Sequence, residues 1–482
     1  MIRDIVAGID SSTQSCTVML RELKTGTVVA EAKAPHPLTT PPRSEQDPEA
    51  WWDALKVALE ELRVWWPRIA GISVGAQGHG LVILGENDRP LRPAKLWNDT
   101  ESSEQARRLC ELLPVARWAE LTGSVPGPAM TISKLAWTED HFPGVLEKSQ
   151  RIMLPCDYIV YKLSGSFVTE RGGASGSGYF NPFKNCWEPE LGNLINSGID
   201  WISRWPKIIS SSEPAGTVQF SSGFSELAGA IVGVGTGDNM SAALGMNLLP
   251  GDVAISVGTS GTLYGISTEG MADQHGIING YADATGKFMP MITTLNAAKV
   301  TDTFRGILRM STDEFDELAL AAPPGSNRLT LLPWLDGERT PNLPDATGHL
   351  INIRTTTSAG DVARAAIEGV LSNLLSGQAR LAELGFRNEG RLIITGGGAK
   401  SSAYCQILAD LTGKTVWKSS ISETAAAGAA IQAAAAVLGC SNAEMAEQWS
   451  QPLQVAAEPR HDSCFVVRQY QDCANTYQGE AL

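Results

Sequence analysis

Ile5-Val6-Ala7-Gly8-Ile9-Asp10 is a short apolar run ending on an acid; Ser11-Ser12-Thr13-Gln14-Ser15 follows as a polar turn, and Cys16-Thr17-Val18-Met19-Leu20 turns apolar again. Two apolar runs of strand length joined by small hydroxyl residues read as a strand–turn–strand hairpin. The same pattern returns about half the chain later. Val253-Ala254-Ile255-Ser256-Val257 leads into Gly258-Thr259-Ser260-Gly261-Thr262, and Leu263-Tyr264-Gly265-Ile266 leaves it. Two such hairpins, each opening one half, point to an internal duplication at domain scale. Chance recurrence is the other reading, because short apolar–GTSG–apolar segments are common.

Outward from the hairpins, 482 residues are too many for one core, since single cores stop growing at roughly 250–300 residues. Pro250-Gly251 is a turn signal just before the second hairpin. The expected division is a first domain over 1–246, a second over 247–440, and a tail over 441–482 in which no chemistry is legible. Helices are expected over 48–62, 101–113, 359–383 and 402–411, and strands over 69–74 and 392–394. Strands interleaved with helices in both halves imply an α/β fold.

Composition sets further bounds. A formal charge of -14 repels phosphate backbones, so no nucleic-acid partner is expected. It does not exclude a single nucleotide held in a local site. The eight cysteines form no CxxC pair and read as reduced thiols. The six histidines have no metal-ligand spacing. Met1-Ile2-Arg3-Asp4-Ile5 lacks the apolar core of a secretory signal. No run reaches the ~18 apolar residues that cross a bilayer, and the alanine-rich stretch 424–439, interrupted by Gln432, reads as a buried helix. A cytoplasmic protein with no membrane partner is the expectation.

Phosphoryl transfer needs cradled phosphates, neutralised charge, a held nucleophile and excluded water. The usual P-loop, G-x-x-x-x-G-K-[ST], is absent. Turns of Ser, Thr and Gly serve the same end, because their N–H groups line a concavity and their hydroxyls donate. Both hairpin turns are therefore candidates, with plain β-turns as the alternative. Gly71-Ile72-Ser73-Val74-Gly75 spells G-x-S-x-G, but its β-branched neighbours put Ser73 mid-strand and not on a hydrolase elbow. From local chemistry alone, Asp10 and Asp238 read as turn or cap residues, His79 as a structural histidine, and Trp97 as core in preference to a ligand-stacking surface.

The ordered set of motifs resembles the FGGY carbohydrate-kinase family along most of the chain. The segments are 8–17, Ser44-Glu45-Gln46-Asp47-Pro48-Glu49-Ala50-Trp51-Trp52, Gly78-His79-Gly80, Leu96-Trp97-Asn98-Asp99, 130–137, Gly235-Thr236-Gly237-Asp238-Asn239, 256–262, Gly337-Glu338-Arg339-Thr340-Pro341, 396–401 and 423–428. The resemblance implies two RNase-H/actin-like (ribonuclease H-like ATPase) α/β domains with a catalytic cleft between them. It implies Asp238 as general base and Gly78, His79, Asp238 and Asn239 as the sugar site. ATP would be held by Ser12, Thr13, Gln14, Gly258, Thr259, Ser260, Gly397, Gly398, Ala399 and Ser402, with Asp10 on Mg²⁺. Residues 423–428 would line the adenosine pocket. Asn296 is either near the sugar or a polar cap, and Glu338 with Arg339 is either an ion pair or a substrate contact.

The sequence departs from the family pattern in three places. Ser12 stands where members carry Gly, Asn352 where many carry Gly, and Gly78 where some carry Met. The activity implied is ATP-dependent phosphorylation of D-xylulose to D-xylulose 5-phosphate, with a homodimer as a common family state. The rivals are another FGGY substrate (L-xylulose, ribulose, 3-keto-gulonate, gluconate or glycerol), an actin-like ATPase, or a non-catalytic sugar sensor. The GERTP and EQDPExWW runs favour a ketopentose over glycerol.

Overall fold

The computed structural model describes residues 3–478. The opening hairpin forms as read: β1 (Ile5–Ser11) pairs antiparallel with β2 (Ser15–Glu22), Ser11 opposite Cys16, and β3 (Val28–Pro35) extends the meander. The chain crosses over through α1 (Pro48–Glu61) and returns as β4 (Ile69–Ala76), parallel to β1. The helix starts where its sequence dictates. The Asp47 side chain accepts from Glu49 N, Pro48 fills the first turn, and Trp51, Trp52, Leu55 and Leu59 are buried. The expected helix at 101–113 is the shorter α2 (Ser103–Leu112).

The far edge of this sheet is β5 (Pro214–Thr217), antiparallel to β6 (Ile231–Gly233), which runs parallel to β4. β7 (Thr236–Gly237) pairs with the end of β4 and leads straight into α3 (Asp238–Gly245). The strand order is β5–β6–β4–β1–β2–β3.

The second half repeats the plan. β8 (Val253–Val257) and β9 (Gly261–Gly265) form the hairpin, and β10 (Asn279–Ala282) and β11 (Phe288–Thr294) continue the meander. The long α4 (Ala359–Glu383) crosses over to β12 (Leu392–Thr395), parallel to β8; after α5 (Ser402–Thr412) comes β13 (Val416–Lys418), parallel to β12. β14 (Gln454–Ala457) closes the edge antiparallel to β13. Each half is thus a meander, a crossover, two parallel strands and an antiparallel edge, so the repeated hairpin is a repeated topology. Both sheets are covered on both faces. Ile5, Ala7 and Ile9 enter one core and Val6 another, and Ile255 and Ala254 divide the same way in the second sheet.

The two halves interlock through the helix that follows the parallel strands of each. α3 sends Met240 and Ala243 into a cluster with Ala254, Tyr264 and Met291 of the second sheet. Its counterpart α6 (Thr424–Leu438) lies on the first sheet, where Ala430 and Ala433 pack with Val6. The approach is so close that a Cβ on Gly8 would lie 2.0 Å from the Ala426 carbonyl oxygen. α3 and α6 meet backbone to backbone at Gly245 and Gly428, and Ser241 Oγ donates to the Ala425 carbonyl at 2.7 Å. Ser73 is mid-strand, donating to Gln432 of α6 at 2.7 Å. Beyond α6, α7 (Cys464–Gln478) packs on the second sheet's flank, with Val466 in its core. Among the described residues no single helix is long and apolar enough to cross a membrane.

Candidate active site

Parallel strands end at the same edge of a sheet, and ligands of open α/β sheets bind beyond those ends. In the first sheet the ends of β1, β4 and β7 carry Asp10 with the Ser12–Gln14 turn, Gly78 with His79, and Asp238. In the second, the ends of β8 and β12 carry 258–260 and 397–399. These two loops touch: a Cβ on Gly398 would lie 2.5 Å from that of Val257.

Asp238 opens α3. Its Oδ1 accepts from Asn239 N at 2.8 Å and Asn239 Nδ2 at 3.0 Å, so Asn239 is its holder. Burial pushes the Asp238 carboxyl up to about 6 despite those bonds. A carboxylate in that range is still ionised at neutral pH and more basic than an ordinary Asp. Asp10 goes further. Its Oδ1 is buried without a hydrogen-bond partner. Burial, then the Asp238 and Glu423 charges, push it up to about 8, and only Lys33 pulls the other way. Asp10 thus feels two acidic neighbours, Asp238 at the start of α3 and Glu423 just before α6.

The turns are prepared differently. Ser12 needs no glycine-only backbone, since its φ lies outside the left-handed region, and its hydroxyl donates to the Ser15 carbonyl at 3.0 Å, closing its own turn. Thr13 Oγ1 accepts from Trp97 Nε1 at 2.8 Å. This corrects the reading of Trp97 as core: the ring is half-buried and braces the turn. Gln14 and Thr259 are exposed, and Ser12, Gly258 and Ser260 are partly so. Gly397 is open, Ala399 half-buried and Gly398 buried; Ser402 is exposed at the start of α5, which Ser401 caps. Asn352 has φ 67°, the left-handed geometry its residue type tolerates.

His79, with φ 62°, is held in that uncommon backbone conformation by Lys134 Nζ and Thr131 Oγ1, which donate to its carbonyl at 3.0 and 3.1 Å. The run 130–137 is therefore the bracket of this loop. His79 Nδ1 lies 2.6 Å from the Gly176 carbonyl, so the ring's proton sits there and Nε2 is left as an acceptor, 3.4 Å from the Tyr281 hydroxyl. Burial, with Arg339 and Lys134 nearby, pushes His79 down to about 3, so it is neutral. Beside it, a Cβ on Gly78 would meet nothing within 4 Å.

Glu338 and Arg339 do not form an ion pair. Glu338 accepts from the Arg339 backbone N at 2.7 Å, and the guanidinium acts on Tyr281 and His79. Asn296 is no helix cap; it is buried, donating to Gly337 O at 2.8 Å and Glu338 Oε2 at 3.0 Å. Tyr281 escaped the sequence reading, and Gln77, within the sugar-side segment 76–79, has no role assigned there. Tyr281 has no motif around it. Gln77 lies between Ala76 and Gly78, and both its amide atoms are buried without a partner. Buried amides usually pair, and both polar atoms of this one are free to meet a ligand or water.

Comparison with known proteins agrees with this architecture. The chain is 39% identical over 447 residues to xylulose kinase of Streptomyces coelicolor, covering 92% of this chain and 91% of that one. It is 33% identical to xylulose kinase of Haemophilus influenzae, covering 88% and 89%. The crystal structure of xylulose kinase from Bifidobacterium adolescentis superposes with a TM-score of 0.86 at 30% identity, over 98% of this chain and 99% of that one. Residues 5–245 match the N-terminal domain of the FGGY family of carbohydrate kinases and residues 253–437 its C-terminal domain. With both domains present in order and a cleft lined from both, the chain belongs to the FGGY family of carbohydrate kinases.

Proposed function

We propose that this protein transfers the γ-phosphoryl group of ATP to a hydroxyl of D-xylulose, giving D-xylulose 5-phosphate. The observation that carries the reading is Asp238, a carboxylate raised to about 6 at the start of α3, in a chain aligned nearly end to end with xylulose kinases. In this reading residues 1–246 supply the sugar side and 247–440 most of the nucleotide side. Asp238 accepts the proton of the attacking hydroxyl, and Asn239 keeps the carboxylate aimed. Neutral His79 accepts from a sugar hydroxyl through Nε2, with Gly78 leaving room beside it. The turns at 12–14 and 258–260, with 397–399 and Ser402, hold the nucleotide through N–H groups and hydroxyls.

Asp10 fits a Mg²⁺ carried mainly by phosphate oxygens and water. Its unbonded buried oxygen wants a cation, and Mg²⁺ takes only one or two protein carboxylates. Among the described residues no cluster of three His, Cys, Asp or Glu forms a cage for a metal of its own. When bound, Mg²⁺ neutralises the phosphate charge. Eight free cysteines suit a reducing, cytoplasmic compartment.

The test is coupled ADP release with Mg-ATP across a panel of ketoses and polyols. The expected result is the highest kcat/KM on D-xylulose. A better polyol would keep the family and change the substrate; sugar-independent ADP release at the same rate would favour an ATPase.

The pH dependence is a separate expectation. Asp238 must be unprotonated to act as base, so kcat/KM for the sugar is expected to fall about tenfold per pH unit below about 6 and to level off above it. A profile flat from pH 5 to 8, with ATP saturating, would remove Asp238 from the proton transfer.

A further inference from the structure

The loop that presents Arg339 is held only in part by its own backbone. Gly337 and Asp336 have φ of 88° and 58°; Glu338 pairs with Leu343 at 2.8 and 2.9 Å, Gly337 N donates to Ala346 O at 2.9 Å, and Ala346 N donates to Leu343 O at 3.2 Å. The rest of its shape is fixed from outside. Trp334 and Leu343 are buried against Tyr470 and Ala474 of α7. The Glu338 carboxylate, 1% exposed, accepts from Leu295 N at 2.6 Å, Arg339 N at 2.7 Å, Asn296 Nδ2 at 3.0 Å and Asn373 Nδ2 at 3.3 Å. Asn373, on α4, accepts in turn from the Tyr470 hydroxyl at 3.0 Å. A continuous chain therefore runs from the C-terminal helix, through buried Tyr470, Asn373 and Glu338, to the backbone of Arg339.

We propose that the C-terminal helix is a positioning element for the sugar pocket: Tyr470, through Asn373 and Glu338, fixes the loop that holds Arg339 beside Tyr281 and His79. The physical reason is one of satisfied valences. A buried carboxylate keeps its place only while its donors are oriented. The Asn373 amide has one orientation because its oxygen is claimed by a hydroxyl and its nitrogen by a carboxylate. Without the Tyr470 hydroxyl the amide turns, Glu338 loses one of its four donors, and Arg339 samples other positions. The tail thereby acts on the sugar through the Arg339 loop. This rests on the sugar-kinase reading above, with Arg339 contributing to sugar binding.

The experiment measures KM for D-xylulose, KM for ATP, kcat and Tm for the parent, Tyr470→Phe, Asn373→Leu, Arg339→Ala and the Arg339→Ala/Tyr470→Phe double variant. Tyr470→Phe is expected to raise the ketose KM about five-fold, the effect of one lost hydrogen bond. ATP KM and Tm should stay near the parent values. In the Arg339→Ala background the same change should add nothing, because its route to the sugar is already gone. If Arg339→Ala turns over too slowly, ketose affinity is read by calorimetry. An unchanged ketose KM in both Tyr470→Phe and Asn373→Leu overturns the proposal, as does an equal rise with and without Arg339. Should another polyol prove the better substrate, the same cycle is read on it, so failure of the substrate assignment is separable from failure of the chain.

Discussion

Asp238→Asn is expected to lower kcat by about a thousandfold, within the usual range for removing a general base, while both KM values stay within a few-fold. Asn is nearly isosteric, and its carbonyl can still accept from Asn239 N, so the loss isolates the proton transfer. The same variant should be more heat-stable than the parent at pH 7.5. The folded-state pKa of Asp238 is raised from 3.8 to about 6. Its ionised form is therefore penalised on folding. The penalty is absent below about pH 4, grows as the pH rises, and is complete above about pH 6. The amide never carries it. Loss of activity together with a higher Tm at pH 7.5 and an equal Tm near pH 4 is the signature of a strained catalytic carboxylate. Full activity in this variant would end the base assignment, and a fall in Tm would mean the carboxylate serves the fold.

Gly428→Ala is expected to cost about 3 kcal/mol of stability and to reduce kcat as well. Helix propensity argues the opposite, since Ala is better than Gly inside a helix by about 1 kcal/mol. Packing decides. A Cβ on Gly428 would sit 1.8 Å from the Ser241 carbonyl oxygen and 2.9 Å from Gly245 N, and a Cβ on Gly245 would sit 2.1 Å from the Thr424 carbonyl. These obstacles are backbone atoms of two helices and cannot swing away as a side chain can. α3 would have to back off from α6, carrying Asp238 with it. Gly306→Ala is the control. It lies in the helix Ala298–Leu308, and a Cβ there meets nothing within 4 Å. It should be neutral or slightly stabilising. Urea unfolding of the two variants decides the matter; similar gains in both would mean that the crossing of α3 and α6 has slack.

Much of this protein was legible in one dimension. The hairpins at 5–20 and 253–266, the helix at 48–62 and α4 over 359–383 were legible because local chemistry is enough: apolar runs of strand length, small hydroxyl turns and uninterrupted helical stretches. The turns at 12–14 and 258–260 and the motif around Asp238 are contiguous, so they could be named from sequence. Ser73 could likewise be kept from a false role by its β-branched neighbours.

The tertiary structure decided what depends on groups distant in sequence. Trp97 is a brace and not core because Thr13 offers it an acceptor 84 positions away. Asp10 and Asp238 are ordinary turn and helix-start residues until folding desolvates both and sets Asp10 near Asp238 and Glu423. Tyr281 and Arg339 meet His79 only because the second half folds against the first. The tail, silent as a sequence, is tied to the Arg339 loop by a hydroxyl that reaches Asn373 across 97 positions. The crossing of α3 and α6 is marked in sequence only by glycines that resemble any others. Propensity, capping and turn chemistry act between neighbours and so can be read from order alone. Burial, electrostatic coupling and close backbone approach are properties of positions in space, which the order of residues does not list.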